Sequence, residues 1–125
     1  MIAVDACVMI SFLAGEPIEE SDFLATILAS DQAILAPSTI AELLSDPKGG
    51  PQIAALIDGM KVLPLGDGYW HRAGLLRAAV RRDGRKAALG DALAAQACID
   101  ADVALLTYDK DFRAFAKIAG LKLAN

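Results

Sequence analysis

Short apolar runs alternate along this chain with segments of helical spacing, and few architectures accept that rhythm. The first run, carrying Ile2 and Val4, ends on Asp5. Ala33–Ala36, Lys61–Leu65 and Val103–Thr107 read as three further strands and Leu121–Leu123 as a small last one. Between them, helices are predicted over Ala6–Ala14, around Phe23–Leu28, from Ser38 or Thr39, and over Gln52–Gly59. Further helices are predicted from Gly68 onward, with Trp70, Ala73, Leu76, Ala79 and Val80 as candidate buried positions, from Asp91 through Ile99, and over Phe112–Ile118. Strands that alternate with helices call for an α/β three-layer sandwich, with a central, mainly parallel sheet of four to five strands flanked by helices. With 125 residues and no internal repeat, low-complexity tract or linker, the expectation is one domain spanning residues 1–125.

In open α/β sheets, ligand sites lie outside the carboxyl ends of the strands. Asp5 ends the first strand, Glu42 comes a turn after the second, and Asp109 and Asp111 follow the fourth. Asp91 opens the helix that feeds that fourth strand. A carboxylate at the end of a buried strand is costly unless something there needs its charge. Each acid also has a simpler explanation. Thr39-x-x-Glu42 has the spacing of a capping box, and Asp91 could cap or start its helix. Glu19, Glu20 and Asp22 read as helix-starting charges.

Composition narrows the function. Hydrophobic residues make up 55%, much of it alanine, and no run reaches the roughly 18–20 apolar residues of a membrane span. Asp5 interrupts the N-terminal segment and no basic n-region precedes it, so a signal peptide is not expected. Cys7 and Cys98 lack metal-site spacing and read as reduced thiols, which makes a cytoplasmic protein without membrane contact the expectation. A net charge of −4 argues against a chain that coats nucleic acid non-specifically. Even so, Arg72, Arg77, Arg81, Arg82, Arg85 and Lys86, half of the twelve basic residues, fall in one stretch. They form either a solvated helix face or a phosphate-binding rim, with Arg81, Arg82 and Arg85 as substrate contacts.

Carboxylates converging at one edge repel one another unless a cation neutralises them. Oxygen ligands without histidine or cysteine suit Mg²⁺ or Mn²⁺, and two such ions about 4 Å apart can assist phosphodiester hydrolysis. The single histidine and the scattered serines form no recognisable nucleophile relay, and there is no glycine-rich phosphate loop.

Four segments carry a resemblance: Val4-Asp5-Ala6-Cys7-Val8-Met9-Ile10, Ser38-Thr39-Ile40-Ala41-Glu42-Leu43-Leu44, Gly90-Asp91-Ala92-Leu93-Ala94-Ala95, and Leu106-Thr107-Tyr108-Asp109-Lys110-Asp111-Phe112. In order and spacing they resemble the successive motifs of PIN-domain proteins, and among these the small VapC ribonuclease toxins of toxin–antitoxin pairs. The resemblance implies a PIN-like fold and a Mg²⁺- or Mn²⁺-dependent endoribonuclease. It further implies a homodimer, an RNA substrate, and a cognate VapB-type antitoxin that holds the enzyme inactive. By motif, Asp5, Glu42, Asp91 and Asp109 would be catalytic acids and metal ligands, with Asp111 a competitor of Asp109 for the fourth position. Thr107 becomes a candidate substrate or metal-water contact. Cys7 departs from the pattern, because such toxins more often carry serine, threonine or asparagine there, and it is not counted as a ligand. Three other readings stay open at this point. They are a PIN nuclease for RNA processing outside toxin–antitoxin pairs, a receiver-like phosphoacceptor domain, and a non-catalytic interaction module.

Overall fold

In the computed structural model, which describes residues 1–125, the strands are β1 (Ile2–Val4), β2 (Ala33–Leu35), β3 (Lys61–Val62) and β4 (Ala104–Leu106). The helices are α1 (Ala6–Leu13), α2 (Ser21–Ala29), α3 (Pro37–Leu44), α4 (Gly50–Asp58), α5 (Tyr69–Arg82), α6 (Leu89–Ala101) and α7 (Phe112–Ala119). All strand pairs are parallel, in the order β3-β2-β1-β4. The α/β sandwich read from the sequence is therefore the observed architecture, with four strands in the sheet. The fifth, Leu121–Leu123, reduces to a single parallel bridge between Leu105 and Leu123. No helix is long and apolar enough to cross a membrane.

The two-residue period of the strands divides the core. Ala3, Ile34 and Leu105 point to one face, where they join Tyr69, Ala73, Val80, Phe112 and Phe115 of α5 and α7 and the alanines of α6. Their neighbours Val4, Leu35 and Leu106 point to the other, against Val8, Met9, Leu24, Ile27, Leu43 and Ile53. A parallel sheet buried on both faces needs this continuous apolar character. The alanine excess also has a place: Ala92, Ala94, Ala95 and Ala97 are all buried in α6, which packs against α3, α5 and α7. A helix contacted on several sides can approach its neighbours only if its side chains are small.

Three local expectations are corrected. β3 stops at Val62 because Pro64 has no N–H for the ladder, although Leu63 N–H still bonds Leu35 O at 2.8 Å. Trp70, expected to be buried, is 66% exposed, and Tyr69 takes the inward position. The proposed capping box does not form. Pro37 occupies the first helical position of α3, so the helix begins earlier, Ala36 is its cap, and Thr39 and Glu42 both lie inside it.

The tight packing of α6 gives a direct test. Ala95→Leu should lower unfolding stability by about 1–3 kcal/mol through overpacking, measured by urea denaturation. An unchanged midpoint would show that α6 is not closely enclosed.

Candidate active site

Asp5 lies one residue beyond β1, and its backbone N–H still bonds Leu106 O at 3.0 Å, in register with the end of β4. The extended backbone there lets Asp5 cap α1, with Oδ1 accepting the Ala6 N–H at 2.9 Å. Oδ2 accepts the Thr107 hydroxyl at 2.8 Å and the Cys7 thiol at 3.0 Å. Asp5 is only 5% exposed, and donors on both oxygens make its burial tolerable without a salt bridge. The acid at the strand end is thus a helix cap whose second oxygen faces Thr107 and Cys7.

The Thr107 hydroxyl also accepts the Asp109 N–H at 3.0 Å, and Asp109 Oδ1 accepts the Asp111 N–H at 2.9 Å. This chain of contacts folds the segment after β4 into an Asx-type turn leading into α7. Tyr108 anchors the same loop from the opposite side. Its hydroxyl is 2.8 Å from Ser11 Oγ and donates to the Cys7 carbonyl at 3.2 Å.

Asp91 arrives from elsewhere in the chain. Ala88 caps α6, which places Asp91 in the first helical turn. There one carboxylate oxygen each from Asp91, Asp109 and Asp111 lie within 4.8 Å of one another. Glu42 abuts the same turn: a Cβ at Gly90 would come within 3.0 Å of Glu42 Oε1, so glycine leaves room for that carboxylate. Both Asp109 and Asp111 are therefore at the cluster, while Asp5 is joined to it through Thr107. The Thr107 hydroxyl itself is occupied by Asp5 and by the Asp109 N–H.

Of the basic stretch, Lys86 touches the acids, with Nζ 3.4 Å from Asp111 Oδ2. Arg72 forms a two-pronged pair with Asp100, and Arg77 donates to the Ala87 carbonyl at 2.8 Å, so both brace the α5–α6 region. Arg85 lies 3.6 Å from Asp83, and Arg81 and Arg82 are exposed at the end of α5 without an ion pair. Gly90 and Tyr108 lie within the motif segments and Lys86 within the basic run, but none was given an individual role, and Ser11 lay outside every motif. Their contacts join distant segments.

The electrostatics ask for a cation. Burial, reinforced by the charges of Asp5, Asp109, Glu42 and Asp111, pushes the Asp91 carboxyl up to about 7. Burial and Asp5 also raise Glu42. The Cys7 thiol is pushed up to about 12 by burial and by Asp5, so it stays a donor. A cluster made of carboxylates alone fits a hard divalent ion, and neither cysteine nor histidine takes part in it.

The folded chain binds the Asp91 proton more tightly than the unfolded chain does. That stabilising contribution is complete at acid pH and is lost as the pH rises through about 7. Cation-free protein should therefore lose thermal stability between about pH 5 and about pH 8, and Asp91→Asn should flatten the slope. Mn²⁺ should raise the melting temperature more at the upper pH. Wild-type protein whose stability did not fall across this range would contradict the assigned repulsion.

The PIN domain sequence pattern matches residues 2–118. No curated protein matches the chain. Among solved structures, VapBC2 from Rickettsia felis, bound to a DNA fragment from its promoter, superposes with a TM-score of 0.74 at 18% identity, covering 100% of this chain and 98% of that one. FitAcB from Neisseria gonorrhoeae gives 0.73 at 20% identity, covering 100% and 97%. VapBC-5 from Mycobacterium tuberculosis, a member of the VapBC family of toxin–antitoxin systems, gives 0.66 at 21% identity, covering 97% and 94%. These likenesses concern the fold. The sheet order β3-β2-β1-β4 also differs from the 2-1-3-4-5 order of receiver domains, which sets that reading aside. With a matched pattern over nearly its whole length and acids gathered at the carboxyl edge of its sheet, the chain belongs to the PIN-domain family, whose membership implies a nuclease with an acidic active site.

Proposed function

We propose that this protein is a divalent-cation-dependent endoribonuclease toxin of the VapC type, inhibited by a cognate VapB-type antitoxin. The observation that carries the nuclease reading is the gathering of Asp91, Asp109 and Asp111 beside Asp5 and Glu42, with Asp91 destabilised in its charged form. Asp91, Asp109 and Asp111 are the residues that would hold Mg²⁺ or Mn²⁺, with Asp5 supplying a further fixed charge. When bound, such an ion polarises a phosphoryl oxygen and makes water a better nucleophile.

The chain's own residues do the rest. Donors on both oxygens of Asp5 fix its orientation before any ligand arrives. Glu42, whose carboxyl is raised by burial and by the charge of Asp5 and which abuts the turn carrying Asp91, is the acid to accept a proton from an attacking water. Lys86 is placed to exchange Asp111 for an RNA phosphate, and Arg81, Arg82 and Arg85 extend the positive charge along the same stretch.

The toxin–antitoxin assignment is supported by the VapBC and FitAcB folds and by the sequence motifs. Homodimerisation is supported by Leu65, Trp70 and Leu89. They are exposed by 37%, 66% and 55% and line a largely apolar groove of about 480 Å³, bordered by Glu42 and Gly90, whose apolar part suits a second copy of the chain.

Incubation of the purified chain with total RNA and Mg²⁺ or Mn²⁺ should give discrete cleavage that excess chelator stops. Asp5→Asn and Asp91→Asn should each reduce the rate by at least about 100-fold while the fold is kept. Wild-type cleavage by either variant would remove the assignment. Charge reversal at Arg81, Arg82 and Arg85 should weaken RNA binding and reduce its salt slope, and unchanged binding would leave those arginines as a solvated face. The adjoining reading frame should encode a short protein that co-purifies and suppresses cleavage. A nuclease with no such inhibitor would be an RNA-processing enzyme of the same fold.

A further inference from the structure

Thr107 is the residue through which Asp5 and Asp109 are held together, and its own backbone has an uncommon partner. The β4 ladder ends at Leu106, so Thr107, 5% exposed, leaves strand geometry with an N–H and a C=O to satisfy. Asn125 meets both. Its Nδ2 donates to the Thr107 carbonyl at 2.7 Å and its Oδ1 accepts the Thr107 N–H at 3.5 Å. One side-chain amide thus extends the sheet edge by one residue, as a neighbouring strand would.

The segment that brings Asn125 there is tied to β4. Leu105 N–H bonds Lys122 O at 2.9 Å, Ala124 N–H bonds Leu105 O at 2.8 Å, and Leu123 bridges Leu105. Gly120, in the left-handed region at φ 73°, ends α7 and lets the chain turn back along the strand. Lys122 adds an ion pair to Asp102 at 2.7 Å. Asn125 also lies 3.5 Å from Glu20 Oε2 through Nδ2, a link towards α2.

We infer that Asn125 is a positioning residue for the acidic site, acting through Thr107 on Asp5 and Asp109. Its amide fixes the Thr107 backbone, and this sets where the hydroxyl sits. The hydroxyl in turn orients Asp5 Oδ2 and secures the Asp109 N–H. Asn125 touches none of Asp5, Glu42, Asp91, Asp109 and Asp111, so its effect reaches them through Thr107. The inference rests on the proposal that these acids hold a divalent ion, but it also makes a claim about the protein without one.

The test compares the full chain with Asn125→Ala, Asn125→Gln, Thr107→Val and the double variant Asn125→Ala/Thr107→Val. Mn²⁺ affinity is measured by electron paramagnetic resonance, and hydrogen exchange of the Ala6 and Asp109 amides is measured without metal. Partners that orient a metal ligand from behind typically contribute 10–100-fold in affinity. Asn125→Ala should weaken Mn²⁺ binding by about tenfold and speed exchange at Asp109. Asn125→Gln, which keeps the amide on a longer stem, should recover part of both effects. The double variant should be scarcely worse than Thr107→Val, because both changes act through one hydroxyl.

A lowered melting temperature with Mn²⁺ affinity and Asp109 exchange unchanged below it would reduce Asn125 to a structural clip and overturn the inference. Fully additive losses in the double variant would overturn it too. If the wild-type chain binds no Mn²⁺, the metal reading fails, and the Asn125 linkage is then decided by amide exchange alone.

Discussion

The 2.8 Å hydrogen bond from the Thr107 hydroxyl to Asp5 Oδ2 joins residues 102 positions apart, and the arrangement of the acidic edge depends on it. It crosses from the end of β1 to the end of β4, so it can form only when those strands pair in the observed register. A one-residue slip would turn every side chain of the shifted strand to the opposite face and disrupt both apolar layers. The division of the core between Ala3, Leu105 and Val4, Leu106 therefore specifies the same register that brings Asp5 to Thr107. Packing and site geometry are two consequences of one strand alignment.

That alignment concentrates negative charge. Asp5 is stabilised by the Ala6 N–H, the Cys7 thiol and the Thr107 hydroxyl, and its negative field then falls on Glu42 and Asp91. Asp91 bears the greater strain, because α6 directs it toward Asp109 and Asp111 in a half-buried position with no donor of its own. Lys86 relieves Asp111 only from the exposed side. Sites that hold a hard cation in nuclease chemistry share this property, an unfavourable charge balance in the free protein that binding corrects. The cysteine at position 7 fits within it. Raised to about 12, the thiol remains protonated and serves Asp5 as a donor.

The sheet and helices were legible because they follow local rules: β-branched runs, helical spacing, and glycine or proline at the breaks. The same holds for Asp5, Glu42, Asp91, Asp109 and Asp111, each marked by its place after a strand or at a helix start. The sequence did not reveal how those acids divide. Thr39-x-x-Glu42 has capping-box spacing, but Pro37 moves the helix start forward and frees Glu42 to face Gly90. Position alone does not choose between Asp109 and Asp111, because an Asx-type turn brings a carboxylate oxygen of each within 4.8 Å of one from Asp91. Ser11 and Asn125 carry no local signature, and Tyr108, though inside a motif, gives no sign of its contacts, since the partners lie about a hundred residues away or in a segment that reads as a simple strand end. Trp70 and Tyr69 show the usual limit of helical phase, where a one-residue shift exchanges the buried and the exposed ring.

Asp91, Asp109 and Asp111 are proposed to form one divalent-cation site at the carboxyl edge of the sheet. Anomalous diffraction from crystals equilibrated with Mn²⁺ tests it most directly. An anomalous peak bonded to carboxylate oxygens of all three residues is the expected result. A well-ordered cluster without a peak, or Mn²⁺ bound elsewhere on the chain, would contradict it.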